Sequence, residues 1–223
     1  MNCPEELSDR DWRIVQHVYR YRVSTEPVIG RLSLPEATLN AARNVVRRLV
    51  REGWLRKWTM RGQTRYVTLD SRGYAACGLP NKSPSCFSDQ TLPTLFAVLY
   101  FCIHHGFERK TPEELRAIDP EFDTQAGWAH AYFVHQVAHG LAMSCCLVDH
   151  RVAPRRLVTR ARRIIAKRYK TPQFRSLIHA RRFSITILTA YAGSVAAIEQ
   201  EIIRRHRGLA AIQVQVVPEL AGL

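Results

Sequence analysis

The 223-residue sequence predicts a mixed α+β or α/β chain in two parts. Residues 8–52 carry apolar side chains at helical spacing, and residues 54–69 form two short extended runs. From residue 145 onward helical and extended patterns alternate, which favours a small α/β domain with a short sheet flanked by helices. A stretch rich in Pro, Ser and Asn separates the two patterns. We therefore predict a first domain at 1–79, a linker at 80–91 and a second domain at 92–223.

Local signals predict where the N-terminal helices begin and end. Ser8 and Thr25 precede acidic first turns and are typical N-caps of a first and a second helix. Pro35 and Glu36 suit the first turn of a third helix, and Gly53 follows it where a left-handed C-terminal cap is common. These signals predict three consecutive helices, the third at 35–52.

The third helix is predicted to have two chemically different faces. The apolar face comprises Leu39, Ala42, Val46, Leu49 and Val50. The polar face has no acidic residue and comprises Asn40, Arg43, Asn44, Arg47 and Arg51. Arg is the usual bidentate partner of guanine and Asn of adenine, and either can hold a phosphate. This face is therefore a candidate nucleic-acid surface, and the alternative is a basic face that only meets solvent.

A hairpin with a basic tip follows the third helix. Its strands are predicted at 54–59 and 65–69, with a turn at 60–64. Three helices followed by a two-stranded hairpin is the order of the winged helix-turn-helix, whose third helix enters the major groove. We expect base contacts from Asn40, Arg43, Asn44 and Arg47, phosphate contacts from Arg48 and Arg51, and backbone or minor-groove contacts from Arg61 and Arg65.

The second domain is predicted from caps and periodicity. Thr91 and Pro93 begin a buried helix that Gly106 ends, and Thr111 with Glu114 forms a capping box for a short helix. Further elements are a helix from 127 or 128 to about 143, an extended run at 145–149, helices at 154–169 and 173–180, an extended run at 183–189, a helix at 194–205 and an extended run at 211–217. The runs at 183–189 and 211–217 alternate polar and apolar residues, so each is expected to have one exposed face or to lie at a sheet edge.

The charge balance favours an anionic partner. The chain has 33 Lys and Arg against 19 Asp and Glu, a formal charge of +14. Residues 151–182 contain twelve of these cations and no acid. A secondary basic surface is predicted on the helix at 154–170, from Arg155, Arg156, Arg160, Arg162, Arg163, Lys167 and Arg168. Phosphates or an acidic partner would bind it, and simple solvation is the alternative.

Histidines are frequent on the helix predicted from residue 127. His135 and His139 have the spacing of a zinc-protease helix, and His130 lies on the same helix. Gln136 occupies the position of the Glu that would act as general base, so the catalyst is missing. A structural zinc shared with Cys145, Cys146 or His150 is the alternative to ordinary packing, which we favour. We predict no metal and no cofactor.

Other catalytic signatures are missing from the sequence. There is no GxSxG elbow, Walker loop or GxGxxG motif. No acid occurs between Asp149 and Glu199, where a nuclease-like domain would need carboxylates for its metal ion. We therefore predict that the protein is not an enzyme. A nuclease-related site at Asp149, with Glu113 and Glu114, is the alternative left open.

The order of these features resembles the replication-relaxation family, proteins of plasmids and conjugative elements that join a winged helix to an α/β domain. The resemblance rests on residues 47–55 (RRLVREGWL), 66–73 (YVTLDSRG), His130 with His135, and the segment from 183–189 to 216–220. It implies a shortened, non-catalytic relative that acts in mobile-element DNA replication, mobilisation or transcription control.

The predicted function is therefore sequence-preferring binding of double-stranded DNA. The alternative is an assembly or adaptor subunit of a larger nucleoprotein complex. The N-terminus lacks the pattern of a signal peptide and no apolar run is long enough to span a bilayer, so we expect a cytoplasmic, nucleoid-associated protein without a membrane partner and with free thiols. A homodimer, or a partner protein on the C-terminal domain, is also expected.

Overall fold

A computed structural model describes residues 3–33, 35–36, 38–60, 64–80, 86–88, 91–120, 122, 131–138 and 140–222. The chain contains both helices and strands, with one two-stranded and one five-stranded sheet in the described ranges. It divides into two compact units, 1–99 and 100–222, and the division falls further along the chain than the predicted linker. In the described ranges, no helix combines the length and the apolar character that a bilayer crossing requires.

The first unit begins with three helices and a hairpin. Their bounds are α1 Asp9–Tyr21, α2 Glu26–Ser33, α3 Leu39–Arg51, β1 Leu55–Thr59, β2 Arg65–Leu69 and α4 Ser71–Ala76. The two strands pair antiparallel with Leu55 opposite Leu69. Ser24, between α1 and α2, exchanges two backbone hydrogen bonds with Val67 of β2, at 3.0 and 2.9 Å. This bridge ties the helices to the hairpin.

Capping and burial explain the first helices. The Ser8 hydroxyl accepts a hydrogen bond from the Asp11 N–H and caps α1, as its position predicts. Thr25 accepts one from the Val28 N–H and caps α2 in the same way. The apolar sides of these helices supply the core, where Ile14, Val15 and Ile29 are fully buried.

The second unit contains the five-stranded sheet and the helices around it. After α5 Thr91–His105, within which the two units divide, the elements are β3 Arg109–Lys110, α6 Pro112–Ile118, β4 Ala131–Val137, β5 Gly140–Val148, α7 Pro154–Tyr169, α8 Pro172–His179, β6 Phe183–Thr189, α9 Ala192–Arg205, β7 Ala211–Val216 and a 3₁₀ turn Pro218–Gly222. The capping box of Thr111 and Glu114 at α6 is confirmed.

The sheet is mixed, with strand order β3-β4-β5-β6-β7. Strands β3, β4 and β5 pair antiparallel, whereas β5, β6 and β7 run parallel. The parallel half follows from the helices α7, α8 and α9, which provide the crossovers between its strands. Side chains of these helices form one core with the sheet, including Leu157, Phe174, Ile185 and Ile198. On the opposite face, the Phe101 ring packs 5.3 Å from Phe133 of β4.

The prediction of a helix from 127 or 128 to about 143 is wrong. The described part of that segment forms β4 and β5, an antiparallel hairpin in which Val137 faces Gly140. The run Ala131–Val137 is rich in aromatic and β-branched residues, and such a short apolar run fits a helix or a buried strand equally well by periodicity. Pairing with β5 decides the matter, because it gives the backbone of Ala131–Val137 hydrogen-bond partners in the sheet.

The expectation of an exposed face or an edge position holds for β7 but is wrong for β6. Strand β7 lies at the sheet edge, whereas β6 lies between β5 and β7 and is buried on both faces. Its polar residues are satisfied by neighbouring strands: the Ser184 hydroxyl hydrogen-bonds to Ser144 at 2.5 Å, and Thr186 accepts from Gln213 at 2.9 Å. The alternation of polar and apolar residues in β6 therefore reflects polar side chains that hydrogen-bond to the neighbouring strands inside the protein.

Candidate nucleic-acid interface

Both ends of α3 are fixed by local hydrogen bonds. The helix begins at Leu39, later than predicted, because the Thr38 hydroxyl caps it by accepting from the Ala41 N–H at 3.3 Å. At the other end Gly53 has φ of +79°, as its predicted cap role requires. The N–H groups of Gly53 and Trp54 donate to the carbonyls of Val50 and Leu49, the paired bonds of a Schellman motif. Pro35 and Glu36 lie outside the helix.

The two predicted faces of α3 are present, with one correction. Ala42, Val46 and Leu49 are fully buried. Leu39, expected on this apolar face, is instead exposed because it is the first residue of the later-starting helix. The exposed residues of the opposite face are Asn40, Arg43, Asn44, Arg47 and Arg51. Burial of one side thus fixes which side chains of α3 meet solvent.

The polar face is organised by contacts between successive helical turns. Arg43 donates to the Asn40 side-chain oxygen at 3.3 Å, and Arg47 donates to that of Asn44 at 3.1 Å. Both Arg–Asn pairs are exposed and follow each other along the helix. The face therefore offers two amide–guanidinium pairs side by side.

An acidic residue of α2 lies next to this face. The Glu26 carboxylate is 3.5 Å from the Arg43 Nε and 2.5 Å from the Lys57 ammonium of β1. It therefore links α2, α3 and the hairpin. The sequence did not indicate this contact, because the three residues lie far apart in the chain. Glu26 offsets part of the positive charge at this end of the surface, and the described residues that pair with it are Arg43 and Lys57.

Arg48 has a structural partner that sequence reasoning missed. Its guanidinium is 2.6 Å from the Asp11 carboxylate of α1 and 3.4 Å from Glu52. Burial by itself raises the pKa of Asp11, but hydrogen bonds from Arg48 and Ser8 and the charges of Arg48 and Arg10 outweigh it and lower this pKa. Any phosphate contact of Arg48 has to compete with this ion pair. The Arg48–Asp11 ion pair holds α3 against α1.

The hairpin adds further cations beside α3. Arg65 is exposed at the start of β2, and Arg61 lies outside the described residues. Arg56 and Lys57 of β1 are also exposed and were missed, although two adjacent cations in the first strand of a predicted wing are a readable signal. The Arg56 guanidinium lies 5.0 Å from the centre of the Trp58 ring, which restrains its direction.

The secondary basic surface on α7 is present except for one residue. The exposed members are Arg155, Arg156, Arg160, Arg162, Arg163 and Lys167. Arg168 is only 5% exposed, and its Nε donates to the Tyr132 hydroxyl at 2.6 Å. It therefore does not belong to the surface. Helical periodicity turns residue 168 toward the same side as Leu157, Ala161 and Ile164, all buried.

The residues of the alternative enzyme site have structural contacts. The Asp149 carboxylate accepts from the Val152 N–H and the Thr189 hydroxyl, each at 3.2 Å. Glu114 closes the capping box, and Glu113 pairs with Arg116 at 3.4 Å. No group of three or more His, Cys, Asp or Glu side chains suited to a metal ion occurs among the residues that the structure describes.

The one histidine of this predicted helix that the structure describes, His135, does not lie on a helix. His135 belongs to strand β4, and its ring packs 5.6 Å from Phe107 and 5.8 Å from Phe133. Its buried Nδ1 has no hydrogen-bond partner in the described ranges. His130 and His139 lie outside those ranges, and Cys145 and Cys146 are buried free thiols in β5. Burial raises the pKa of Cys145 to about 12, which keeps it protonated.

No protein-family model matches this chain. No curated protein and no solved structure matches it either. Functional conclusions therefore depend on the chain's own residues and their arrangement.

Proposed function

We propose that this protein binds double-stranded DNA with a sequence preference, using the outer face of α3. The proposal rests on the two exposed Arg–Asn pairs, Arg43 with Asn40 and Arg47 with Asn44. The opposite side of the same helix buries Ala42, Val46 and Leu49 in the core. Arg and Asn are the side chains that read guanine and adenine edges by paired hydrogen bonds. An α-helix is about 10–12 Å across with its side chains, which matches the roughly 12 Å width of the major groove.

The surroundings of α3 support a winged-helix arrangement. Three helices precede an antiparallel hairpin, and Ser24 bridges the first helical connection to β2. In such modules the third helix reads bases while the hairpin contacts backbone or minor groove. We assign base edges to the two Arg–Asn pairs, phosphate to Arg51, and backbone or minor groove to Arg61 and Arg65. Arg48 contacts phosphate only in competition with Asp11.

The proposed setting is mobile-element DNA replication, mobilisation or transcription control. Its support is the resemblance of residues 47–55 and 66–73 to replication-relaxation proteins. We also propose that two copies act together, because one α3 covers a short site and a symmetric pair of half-sites multiplies specificity. Size-exclusion chromatography with light scattering, with and without the selected duplex, tests the second point.

The test begins with selection of bound duplexes from a random pool, followed by fluorescence anisotropy on the recovered site. Arg47→Ala is expected to weaken binding to that site by about 5- to 150-fold, and to weaken binding to unrelated duplexes much less. If Arg47 met only phosphate, affinity would instead fall equally for every duplex. Arg51→Ala is expected to lower the affinity for every duplex by the same factor. It is also expected to lower the number of counterions released on binding, read from the salt dependence of the affinity, by about one.

A triple variant with a matched control separates this surface from general basicity. Arg43, Arg47 and Arg51 are replaced by Ala on α3, and Arg155, Arg156 and Arg160 are replaced by Ala on α7. Both variants lose the same formal charge, but only the first is expected to lose the sequence preference. Unchanged binding of the α3 variant to every duplex, or equal losses in both variants, would refute the proposal.

A further inference from the structure

A groove in the second unit lies beside α7, α9 and the loop that follows α9. Its volume is about 1000 Å³. The apolar side chains that line it are Ile165, Ala166, Tyr169, Ile178 and Leu209. Leu209 is 48% exposed and Tyr169 is also exposed, so part of this apolar lining is open to solvent. A lining of this kind favours an occupant with apolar side chains.

Cations surround the apolar lining. Arg162, Arg163, Lys170 and Arg207 line the groove and are exposed. None of these four side chains has a hydrogen bond or ion pair with another described residue. Arg204 and Arg205 also line the groove, but both pair with the Glu201 carboxylate, which offsets their charge. Among the residues that the structure describes, no acidic residue lines the groove, so its rim carries four positive charges without an acidic partner.

We propose that this groove binds an acidic amphipathic segment of a partner protein. Apolar side chains of the segment would pack on Ile165 and Leu209, and its carboxylates would pair with Arg162, Arg163, Lys170 and Arg207. A helix with one apolar stripe matches an apolar groove with a charged rim. A second copy of this chain, with a formal charge of +14, complements this rim less well than an acidic segment does, so any pairing of two copies is expected at another surface. The inference does not depend on DNA binding by α3.

Nucleic acid fits the groove less well than an acidic peptide. Strand-binding grooves stack bases on open aromatic rings. Two rings line this groove, those of Tyr169 and His206. The Tyr169 ring lies 5.4 Å from the Arg175 guanidinium and its hydroxyl hydrogen-bonds to His179 at 3.0 Å, while His206 Nε2 hydrogen-bonds to the Ala210 carbonyl at 2.7 Å. Those contacts already engage a polar atom of each ring. Duplex DNA presents mainly charged phosphates and polar base edges, and its apolar thymine methyl lies inside the major groove, so it offers little to the exposed Leu209.

The probe is a fluorescein-labelled helical peptide about four turns long, with Leu along one face and Glu elsewhere. Its anisotropy is measured with the full-length protein. A second peptide of the same composition, with the leucines spread around the helix, tests whether the stripe matters. The intact probe is expected to bind at least about tenfold more tightly than the spread version, because only the former places its apolar face on the groove.

Two pairs of variants locate the binding. Arg162→Glu with Arg163→Glu is expected to weaken binding at least about tenfold, whereas Arg155→Glu with Arg156→Glu, on α7 but outside the groove, is expected to change it less than about twofold. Leu209→Ser is expected to weaken it about fivefold. Ile203→Ser, at an apolar residue 78% exposed on α9 that does not line the groove, is expected to leave it unchanged. All these positions are exposed, so the fold should tolerate the changes.

Several outcomes would overturn the proposal. Equal losses from the two charge-reversed pairs would indicate general attraction between charges. Equal binding of the two peptides would show that the apolar lining plays no part. Displacement of the probe by a single-stranded oligonucleotide, with loss of oligonucleotide binding in the Arg162 and Arg163 variant, would assign the groove to nucleic acid. Displacement by inorganic tripolyphosphate alone would reduce it to a small-anion site.

Discussion

Replacing Asp11 by Asn tests the ion pair that holds α3 against α1. The substitution keeps the size of the side chain and removes its charge. It leaves the Arg48 guanidinium, now 2.6 Å from the Asp11 carboxylate, facing a neutral amide. Because the two residues lie in different helices, the pair connects the first helix to the helix proposed to read DNA. We therefore expect Asp11→Asn, which replaces one carboxylate oxygen by an NH2 group, to lower the stability of the protein clearly.

The expected magnitude follows from burial and hydrogen bonding. The Asp11 side chain is 4% exposed and accepts from Arg48 at 2.6 Å and from the Ser8 hydroxyl at 2.7 Å. Charge-assisted bonds contribute about 1.5–3 kcal/mol each, and breaking a fully buried pair costs about 3–5 kcal/mol. The Arg48 side chain is 34% exposed, so water recovers part of this loss. We therefore expect Asp11→Asn to lower the free energy of unfolding by about 2 kcal/mol.

The dependence on pH has a definite sign. The folded-state pKa of Asp11 lies below its ordinary value, near about 3.9 in an unfolded chain. The stabilisation is therefore fully present above about pH 4 and is lost as the pH falls through the folded-state value. The difference in unfolding free energy between the original protein and Asp11→Asn is expected to be constant at neutral pH and to shrink in acid.

Urea unfolding followed by tryptophan fluorescence measures the effect, because Trp12 and Trp54 are buried in the first unit. Asp9→Asn is the matched control, since Asp9 is an exposed acid in the same helical turn and should change stability by less than about 0.5 kcal/mol. A double-mutant cycle with Arg48→Met isolates the pair. Equal effects of the Asp9 and Asp11 substitutions, or a coupling energy near zero, would refute the reasoning.

Three further predictions concern other buried contacts. His17 hydrogen-bonds to Ser24, and burial lowers the pKa of its imidazole to about 4. The histidine of the unfolded chain takes up a proton near pH 6.5, so the free energy of unfolding should fall as the pH drops from 6.5 to 4. His17→Gln should remove that part of the pH dependence measured by urea unfolding. Gly73→Ala places a Cβ 2.3 Å from the Trp54 carbonyl oxygen, so thermal unfolding should show a loss of about 1–3 kcal/mol, whereas no loss would mean that the hairpin and α4 separate freely. Tyr132→Phe leaves the buried Arg168 Nε without its acceptor and should cost about 1–3 kcal/mol, unlike Tyr169→Phe at an exposed ring.

Short-range signals predicted many helix and strand bounds well. Helix α7 and strand β6 have the predicted bounds, and the capping box at Thr111 is present. Caps depend on hydrogen bonds within about four residues, so the sequence contains all of their partners. The start of α3 was predicted too early in the chain. Pro35 and Glu36 are compatible with a first turn, but Thr38 is the residue whose hydroxyl caps the helix.

The candidate site was only partly predictable for the same reason. The exposed Arg–Asn pairs of α3 follow from helical spacing, because three or four residues make one turn. The partner of Arg48 lies 37 positions away, and the partner of Arg168 lies 36 positions away. Nothing near either arginine in the chain distinguishes it from an exposed one, apart from the helical side on which Arg168 lies.

The sequence by itself determined the local periodicities, the caps and the large excess of positive charge, since each depends on residues a few positions apart or on composition alone. Only the tertiary structure decided that Ala131–Val137 is a strand, that β6 is central, and which arginines contact acids or rings of the same protein. Strand pairing and buried ion pairs join residues distant in the chain, and their energies depend on burial. The arginines available to a partner are those that remain exposed once these contacts have formed.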